Sequence, residues 1–305
     1  MRHRPMSFVL GLLLPICLVA CGGAELGGPC ERDAPCDDGA VCNLSTESGE
    51  GVCIAADGDL DGDGLRNDQD FCNAQEGGAY DEDADGVGDD CDRCPIAPPP
   101  ASPDRDGDAV DAPCDPDSAV AGDSIVVFDG FNAGLPTNWK TTGPWEFRGG
   151  EVVIASADPS TLAILSAPLP LVTTKLAVLA QYRVDSADAA ATQNFAGVTA
   201  IDRRPAGVSA TTCGGSRAGG ADSLLLDTDT GASAKPFLDL FNPASRYFVA
   251  QKLEGLQAAC AMIADAEQGA VNQTTGGEAP TEGGLVARGV TARFQYLLVV
   301  QRSTN

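Results

Sequence analysis

Residues Asp81–Asp92 read DEDADGVGDDCD, with carboxylates at every second position from the start of the stretch. A glycine follows the third of these carboxylates, and a further carboxylate comes eleven residues after the first. This spacing supplies oxygen ligands at loop positions 1, 3, 5, 9 and 12 and a sharp turn at position 6, as calcium-binding loops require. Because so many like charges repel one another without a counter-ion, the stretch predicts a loop that is organised by calcium.

The pattern occurs three times between positions 57 and 117. In each pass, position 7 would bind calcium through its backbone carbonyl. The third pass has Ala109 in place of the turn glycine and Ala112 at position 9, so we expect weaker binding there, or binding through Asp111 and water. An alanine at the turn position must adopt a conformation that a Cβ disfavours. The predicted ligands are Asp59, Asp61, Asp63, Leu65, Asn67 and Asp70; Asp81, Asp83, Asp85, Val87, Asp89 and Asp92; and Asp104, Asp106, Asp108, Val110 and Asp115.

The second pass, with its Cys91-Asp92 and the following Cys94-Pro95, resembles thrombospondin type 3 repeats, whose mark is Asp-x-Asp-x-Asp-Gly-x-Gly-Asp-x-Cys-Asp. The resemblance implies an irregular, calcium-dependent stalk without a hydrophobic core and the disulfides Cys72–Cys91 and Cys94–Cys114. A redox role for the Cys91-x-x-Cys94 pair is the alternative for these cysteines, but Asp92 would be a calcium ligand between them. A solvated acidic linker is the alternative for the whole block, and its recurring glycine and cysteine offsets argue against that.

Residues 1–20 carry Arg2 and Arg4 before an apolar run at Phe8–Ala20, which predicts a secretory signal peptide. The run is shorter than the roughly 20 apolar residues of a membrane-spanning helix. Its end, Leu18-Val19-Ala20-Cys21, resembles the lipobox of bacterial lipoproteins and implies lipidation of Cys21; a plain signal peptide with a chance cysteine is the alternative. The Gly22 that follows resembles the pattern of lipoproteins exported to the cell outer membrane, whether surface-exposed or periplasmic.

Residues 21–56 are predicted to form a tether and a small cysteine-rich knot, because the segment has too few large apolar side chains to bury a core. Its four cysteines imply two disulfides in an exported protein, with three possible pairings. A zinc site is the alternative, disfavoured by an oxidising compartment and the lack of histidine. The cysteines are Cys30, Cys36, Cys42 and Cys53.

Charge is distributed unevenly along the chain. Residues 21–122 contain 27 acidic and 4 basic residues, whereas the remainder from position 123 contains 17 and 13. Such an acidic surface excludes nucleic acid as a partner. The single histidine, His3, lies in the predicted signal peptide, so the mature chain lacks the usual general base and the His-based catalytic triads and zinc sites. We therefore expect that the protein is not an enzyme.

After a predicted linker at 118–123, residues 124–305 contain more than ten short alternating segments between Gly, Pro and Asp turns. The last, Val290–Val300, alternates at first and then becomes fully apolar, which suits a strand at the centre of a sheet sandwich. The pattern predicts a mainly β protein that ends in a β-sandwich. Cys213 and Cys260 are expected to form a disulfide, with two buried free thiols as the alternative.

The start of this region, with Phe128-Asp129-Gly130-Phe131, Trp139 and Trp145-Glu146-Phe147, resembles concanavalin-like, laminin-G-type jelly rolls. The resemblance implies a domain that binds a glycan or a protein. Candidate ligand-stacking residues are Trp139, Tyr182 and Tyr247, whereas Trp145 is expected in the core. The sequence thus predicts an outer-membrane, calcium-binding lipoprotein for adhesion or display; a structural envelope component without a soluble ligand and a polysaccharide-acting surface enzyme are the alternatives.

Overall fold

The computed structural model describes residues 24–31, 36–44, 50–97, 104–155, 158–171, 173–204, 207–238, 240–265, 267–277 and 279–303. Every regular element in these ranges is a β-strand. Among these residues there is no helix of the length and apolar character needed to cross a membrane. The predicted signal peptide and the lipidation site at Cys21 lie outside the described residues.

A small antiparallel sheet forms the cysteine-rich knot. Its strands are β1 (Pro29–Cys30), β2 (Ala40–Asn43) and β3 (Gly51–Ala55), in the order β1-β3-β2. The disulfides Cys30–Cys42 and Cys36–Cys53 close it, which selects one of the three possible pairings. Because all four sulfur atoms are in disulfides, no thiolate of this knot is left for zinc. Covalent links therefore replace the hydrophobic core that so short a segment cannot build.

The β-sandwich follows, and it is all-β as predicted. Its larger sheet has the order β16-β15-β14-β9-β18-β7-β6, with β4 also paired to β18, and its smaller sheet has the order β13-β12-β11-β10-β17-β8-β5. All strand pairs are antiparallel. The strands are β4 (Asp123–Asp129), β5 (Lys140–Thr142), β6 (Trp145–Phe147), β7 (Val152–Ile154), β8 (Ala163–Pro168), β9 (Lys175–Ala187), β10 (Gln193–Arg204), β11 (Gly207–Ala218), β12 (Ala221–Thr228), β13 (Gly231–Pro236), β14 (Tyr247–Glu254), β15 (Gln257–Ala264), β16 (Glu267–Thr274), β17 (Glu282–Arg288) and β18 (Val290–Arg302).

The core lies between the two sheets and is built by alternation along each strand. In β9, for example, Val178, Ala180 and Tyr182 face the smaller sheet and are buried. The disulfide Cys213–Cys260 joins β11 of the smaller sheet to β15 of the larger one, and both cysteines are fully buried. Covalent and apolar contacts thus hold the two layers together.

The acidic repeats do not stand clear of the sandwich. The outer face of the larger sheet carries an apolar patch, and Cys94, Val110 and Cys114 of the repeats are buried against it. This contact accounts for the fully apolar second half of β18, since one face of that strand meets the sandwich core and the other meets the repeats. We call this surface the docking patch; it consists of Ala177, Leu179, Tyr296, Leu298 and Val300.

Strand β17 was missed in the sequence because the glycine pair Gly283-Gly284 interrupts its apolar pattern. Close packing requires a glycine at position 284 and leaves little room for a side chain at position 283. A Cβ on Gly284 would lie 2.2 Å from the backbone oxygen of Leu165, and one on Gly283 would lie 3.0 Å from Val299. Glycine in a strand therefore marks the close approach of neighbours here and not a turn. The sequence pattern also predicted no strand at β5, β13 or β16.

Candidate metal centres

The three acidic loops bring their carboxylates together. In each loop the first three aspartates offer oxygen atoms that all lie within 4.8 Å of one another. The first loop gathers Asp59, Asp61 and Asp63, the second Asp81, Asp83 and Asp85, and the third Asp104, Asp106 and Asp108. Six to eight oxygens at 2.3–2.6 Å are typical of protein calcium sites. The grouping that the sequence predicted from spacing is therefore present in all three loops.

Backbone N–H groups hold the first aspartate of each loop in place. Asp59 accepts hydrogen bonds from the amides of Gly62 at 2.7 Å and Gly64 at 3.1 Å. The corresponding Asp104 accepts from Gly107 at 2.7 Å and Ala109 at 2.9 Å. The first and third loops thus hold their first carboxylate through the amides at positions 4 and 6. In the second loop, Asp81 accepts instead from the amides at positions 5 and 6, Asp85 at 3.1 Å and Gly86 at 2.8 Å.

The residues at position 7 also take part in the loop framework. The amides of Leu65 and Val87 donate to the preceding aspartate at 2.7 Å each, and that of Val110 does so at 3.1 Å. The side chain of Val110 is 2% exposed because it packs on the docking patch. The third loop is thus tied to the sandwich by the residue whose carbonyl was predicted as a ligand.

Several carboxylate oxygens in the loops are buried and have no hydrogen-bond donor. They include Oδ2 of Asp61 and Asp83 and both oxygens of Asp106. At the last loop position, the second oxygens of Asp70 and Asp115 are in the same state, whereas their Oδ1 atoms accept backbone N–H groups at 2.7 Å. A buried carboxylate oxygen without a partner is costly. A hard divalent cation satisfies such oxygens, so the donor set fits calcium.

Burial and mutual repulsion shift the titration of these groups. Burial raises the pKa of Asp83 to about 7, and the neighbouring carboxylates add to the shift. Burial likewise raises the pKa of Asp92 to about 7 and that of Asp115 to about 6, again with contributions from nearby aspartates. Without a cation, the second and third loops therefore hold carboxylates whose pKa is raised towards neutral pH, and a bound cation would relieve this.

The turn positions contain one feature that the sequence predicted and one that it missed. Ala109, in place of the turn glycine, has φ +72°, so it adopts the left-handed conformation as expected. Position 4 of each loop is also left-handed, with Gly62 and Gly107 in two loops but Ala84, at φ +60°, in the second. The second loop, which matches the repeat pattern best, thus carries a strained alanine of its own.

The predicted ligands at position 9 have a further role. Oδ1 of Asn67 accepts the amide of Leu60 at 2.9 Å, and Oδ1 of Asp89 accepts the amide of Glu82 at 2.8 Å. In the third loop, which has Ala112 at position 9, Asp111 takes this role and accepts the amide of Asp104 at 3.0 Å. Asn67 and Asp89, which the sequence predicted as ligands, and Asp111, the alternative in the third loop, therefore also close their loops.

The repeats contain the cysteine pairs that the family resemblance implies. Cys72 is bonded to Cys91, and Cys94 is bonded to Cys114. Each bridge spans about twenty residues, with separations of 19 and 20. On the chain-entropy model, loops of this length contribute roughly 3 kcal/mol each.

Two of the three candidate ligand-stacking aromatics are wrong. Tyr182 and Tyr247 are 3% and 1% exposed and pack on each other with ring centroids 5.3 Å apart. Both face inward from β9 and β14, so their rings fill the core and cannot contact an external ligand. Trp139 is half-buried and makes an edge contact with Phe131 at 6.2 Å, and Trp145 packs on Phe294 at 5.9 Å.

Comparisons with known proteins bear on the sandwich. No protein-family model matches the chain, and none of the curated proteins matches it. Similar solved structures include the CBM2 module of the evolved Dit protein of Lactobacillus casei BL23 phage J-1, with 12% identity and a TM-score of 0.43 over 60% of this chain and 98% of that one. The exoplasmic/lumenal domain of VIP36 has 10% identity and a TM-score of 0.42 over 55% and 85%.

A xylan β-1,4-xylosidase from Bacillus halodurans C-125 is also similar, with 12% identity and a TM-score of 0.40 over 56% of this chain. The match spans only 38% of that enzyme. A CBM2 module and an enzyme therefore both appear among the similar structures, and at these scores we draw no conclusion on activity from them.

Proposed function

We propose that this protein is a calcium-binding lipoprotein of the outer membrane, in which calcium-loaded repeats support a β-sandwich that binds a glycan or a protein. The buried, donor-less oxygens in all three acidic loops carry the calcium part of the proposal. Calcium would be held by the side chains at positions 1, 3, 5 and 12 and by the carbonyl at position 7 of each loop. Loops of this kind in extracellular modules bind calcium with dissociation constants of about 10⁻⁴–10⁻³ M.

The mechanical part of the proposal follows from where the repeats lie. Because Val110 of the third loop and the neighbouring Cys94 and Cys114 pack on the docking patch, calcium would stiffen the block and also hold it against the sandwich. Glu82, at position 2 of the second loop, supports this view, since it accepts hydrogen bonds from Asn132 and Gln295 of the sandwich at 3.0 Å each. Repeats and sandwich would then be presented as one body.

Thermal melting and limited proteolysis of the full chain, with saturating calcium and with EDTA, test the calcium part. We expect a lower melting temperature and new cleavage sites between residues 50 and 120 under chelation. Asp83→Asn should weaken the response to calcium, whereas Glu76→Gln, a matched change at an exposed acidic residue of the same block, should leave it unchanged. A melting temperature that is the same with calcium and with EDTA would exclude the proposal.

The binding part is tested with the full chain on a glycan array in calcium. Retention of a defined set of glycans supports display or adhesion. Absence of any glycan or protein ligand, together with cross-linking to an envelope neighbour in cells, supports the structural alternative. Turnover of a bound polysaccharide would instead support the enzymatic alternative.

A further inference from the structure

Two exposed aromatic rings lie beside the second acidic loop. Phe71 is 40% and Tyr80 is 43% exposed, and both line an open cleft of about 660 Å³. Its other wall includes Asp81, Glu82 and Asn132, so the cleft lies where the repeats meet the sandwich. Together the two rings add exposed apolar surface to an acidic, highly polar segment.

Backbone hydrogen bonds connect both aromatic residues to the second loop. The amide of Gly88 donates to the carbonyl of Phe71 at 2.9 Å, and the amide of Asp89 donates to the carbonyl of Tyr80 at 3.0 Å. Gly88 lies so close that a Cβ on it would be 3.0 Å from Cβ of Phe71. The backbones of both aromatic residues are therefore tied to positions 8 and 9 of the loop that is proposed to bind calcium.

The sandwich fixes the opposite wall. Glu82 accepts hydrogen bonds from Asn132 and Gln295, and its carboxylate lies so close to Gly130 that a Cβ there would be 2.5 Å from Oε2. With calcium bound, these contacts would preorganise the wall, which lowers the entropic cost of binding.

The chemistry of the cleft selects the class of ligand. None of its nine described lining residues is Lys or Arg, and three are acidic, so an anionic sugar would be repelled. Carboxylate and amide oxygens on the wall can accept hydrogen bonds from hydroxyl groups, and the rings can pack on the C–H faces of a sugar. We propose that this cleft, which includes Phe71 and Tyr80, binds an uncharged saccharide in a calcium-dependent manner. This inference rests on the proposed glycan-binding function and gives it a site away from Trp139, Tyr182 and Tyr247.

Affinity electrophoresis of the full chain in calcium, with the uncharged polysaccharides dextran, mannan and xyloglucan, tests the proposal. Anionic polygalacturonate and cationic chitosan serve as charged comparisons. We expect retardation by at least one uncharged polymer, a loss of about tenfold in affinity for Phe71→Ala and for Tyr80→Ala, and a comparable loss in EDTA. Tyr80→Phe should retain binding, because it keeps the ring.

Leu238→Ala is the matched control, since Leu238 is 75% exposed on the sandwich and lies outside the cleft. Melting temperatures of all variants in calcium verify that they are folded. If the wild type binds an uncharged polymer and neither Phe71→Ala nor Tyr80→Ala weakens that binding, the cleft is not the binding site, and the proposed glycan-binding function remains. If no uncharged polymer binds, or chitosan alone binds through the two rings, the inference is overturned.

Discussion

Arg302, near the end of β18, connects the third acidic loop to the sandwich. It is 6% exposed, and its Nε donates to Oδ1 of Asp123 at 3.1 Å while a second nitrogen donates to the other oxygen of that carboxylate. Nη1 also donates to Asp117, the last residue of the repeat block, at 3.1 Å. Asp123 is itself 4% exposed, and its amide donates to Oδ2 of Asp108 at 2.7 Å. One guanidinium group thus neutralises a buried carboxylate beside a cluster of carboxylates.

We predict that Arg302→Met lowers the free energy of unfolding by about 3–5 kcal/mol, because it leaves the buried Asp123 carboxylate without its partner. The double variant Asp123→Asn/Arg302→Met should recover much of this loss, since replacing both partners of a buried pair costs far less than removing one. Denaturant unfolding in saturating calcium, followed by circular dichroism, measures both values through the midpoint at constant slope.

Calcium in the third loop should change how much stability is lost in Arg302→Met. With calcium bound, the cation offsets part of the uncompensated charge, so the loss for Arg302→Met should be smaller in calcium than in EDTA. A loss below about 1 kcal/mol in both conditions would refute the reasoning. So would a double variant whose loss equals the sum of the two single losses, because that sum would mean that the pair is not coupled.

Three further predictions concern the loops and the smaller sheet. Because the pKa values of Asp83 and Asp92 are raised to about 7, the calcium-free protein should lose stability as pH rises from about 4 through 7. The calcium-loaded protein should instead be destabilised by acid, since protons compete with the cation for the carboxylates. Melting scans at pH 5 and pH 8 should therefore give opposite trends with and without EDTA. Ala84→Gly and Ala109→Gly should each stabilise the chain by up to about 1 kcal/mol by removing a left-handed Cβ, and unchanged midpoints would show that the loops carry no such strain. Burial raises the pKa of Glu282, but hydrogen bonds from Lys140, Ser166 and Arg203 outweigh burial and lower the pKa overall. Glu282→Gln should therefore lower the free energy of unfolding by about 1–3 kcal/mol at pH 7, and by less as pH falls through the pKa of Glu282. An equal loss at pH 3 and pH 7 would contradict this.

The sequence was most informative where chemistry alone sets the spacing. Carboxylates at alternate positions with a glycine at position 6 predicted the grouped oxygens, and the deviation at Ala109 predicted a left-handed alanine. Local pattern did not identify Ala84 as a second left-handed site, because position 4 has no ligand to mark it. The local pattern also failed to place Tyr182 and Tyr247 in the core. The sequence of a strand does not show which of its two faces packs against the partner sheet.

The local sequence pattern could not predict the contact between the repeats and the sandwich, for a different reason. The apolar second half of β18 signalled that both of its faces are buried, but a second sheet and a docked loop bury a strand face equally well. The repeats themselves contain few apolar residues, and Val110 was interpreted through its carbonyl. Its side chain, which is 2% exposed, packs on the sheet and makes the contact that the sequence pattern did not predict.

The hydrogen bonds that follow the first and third loops indicate that the sandwich continues the repeat array. Oδ2 of Asp63 accepts the amide of Gly77, fourteen residues further on, at 3.0 Å, and Oδ2 of Asp108 accepts the amide of Gly122 at the same separation and distance. The carbonyl of Gly122 in turn accepts the amide of Ser303 at 3.1 Å, just beyond β18. Gly122, just before the first strand of the sandwich, therefore has the same hydrogen-bonding position after the third loop that Gly77 has after the first loop. An ion in the third loop would act directly on the edge of the sheet, and this short path is the physical reason to expect calcium to stabilise the sandwich as well as the repeats.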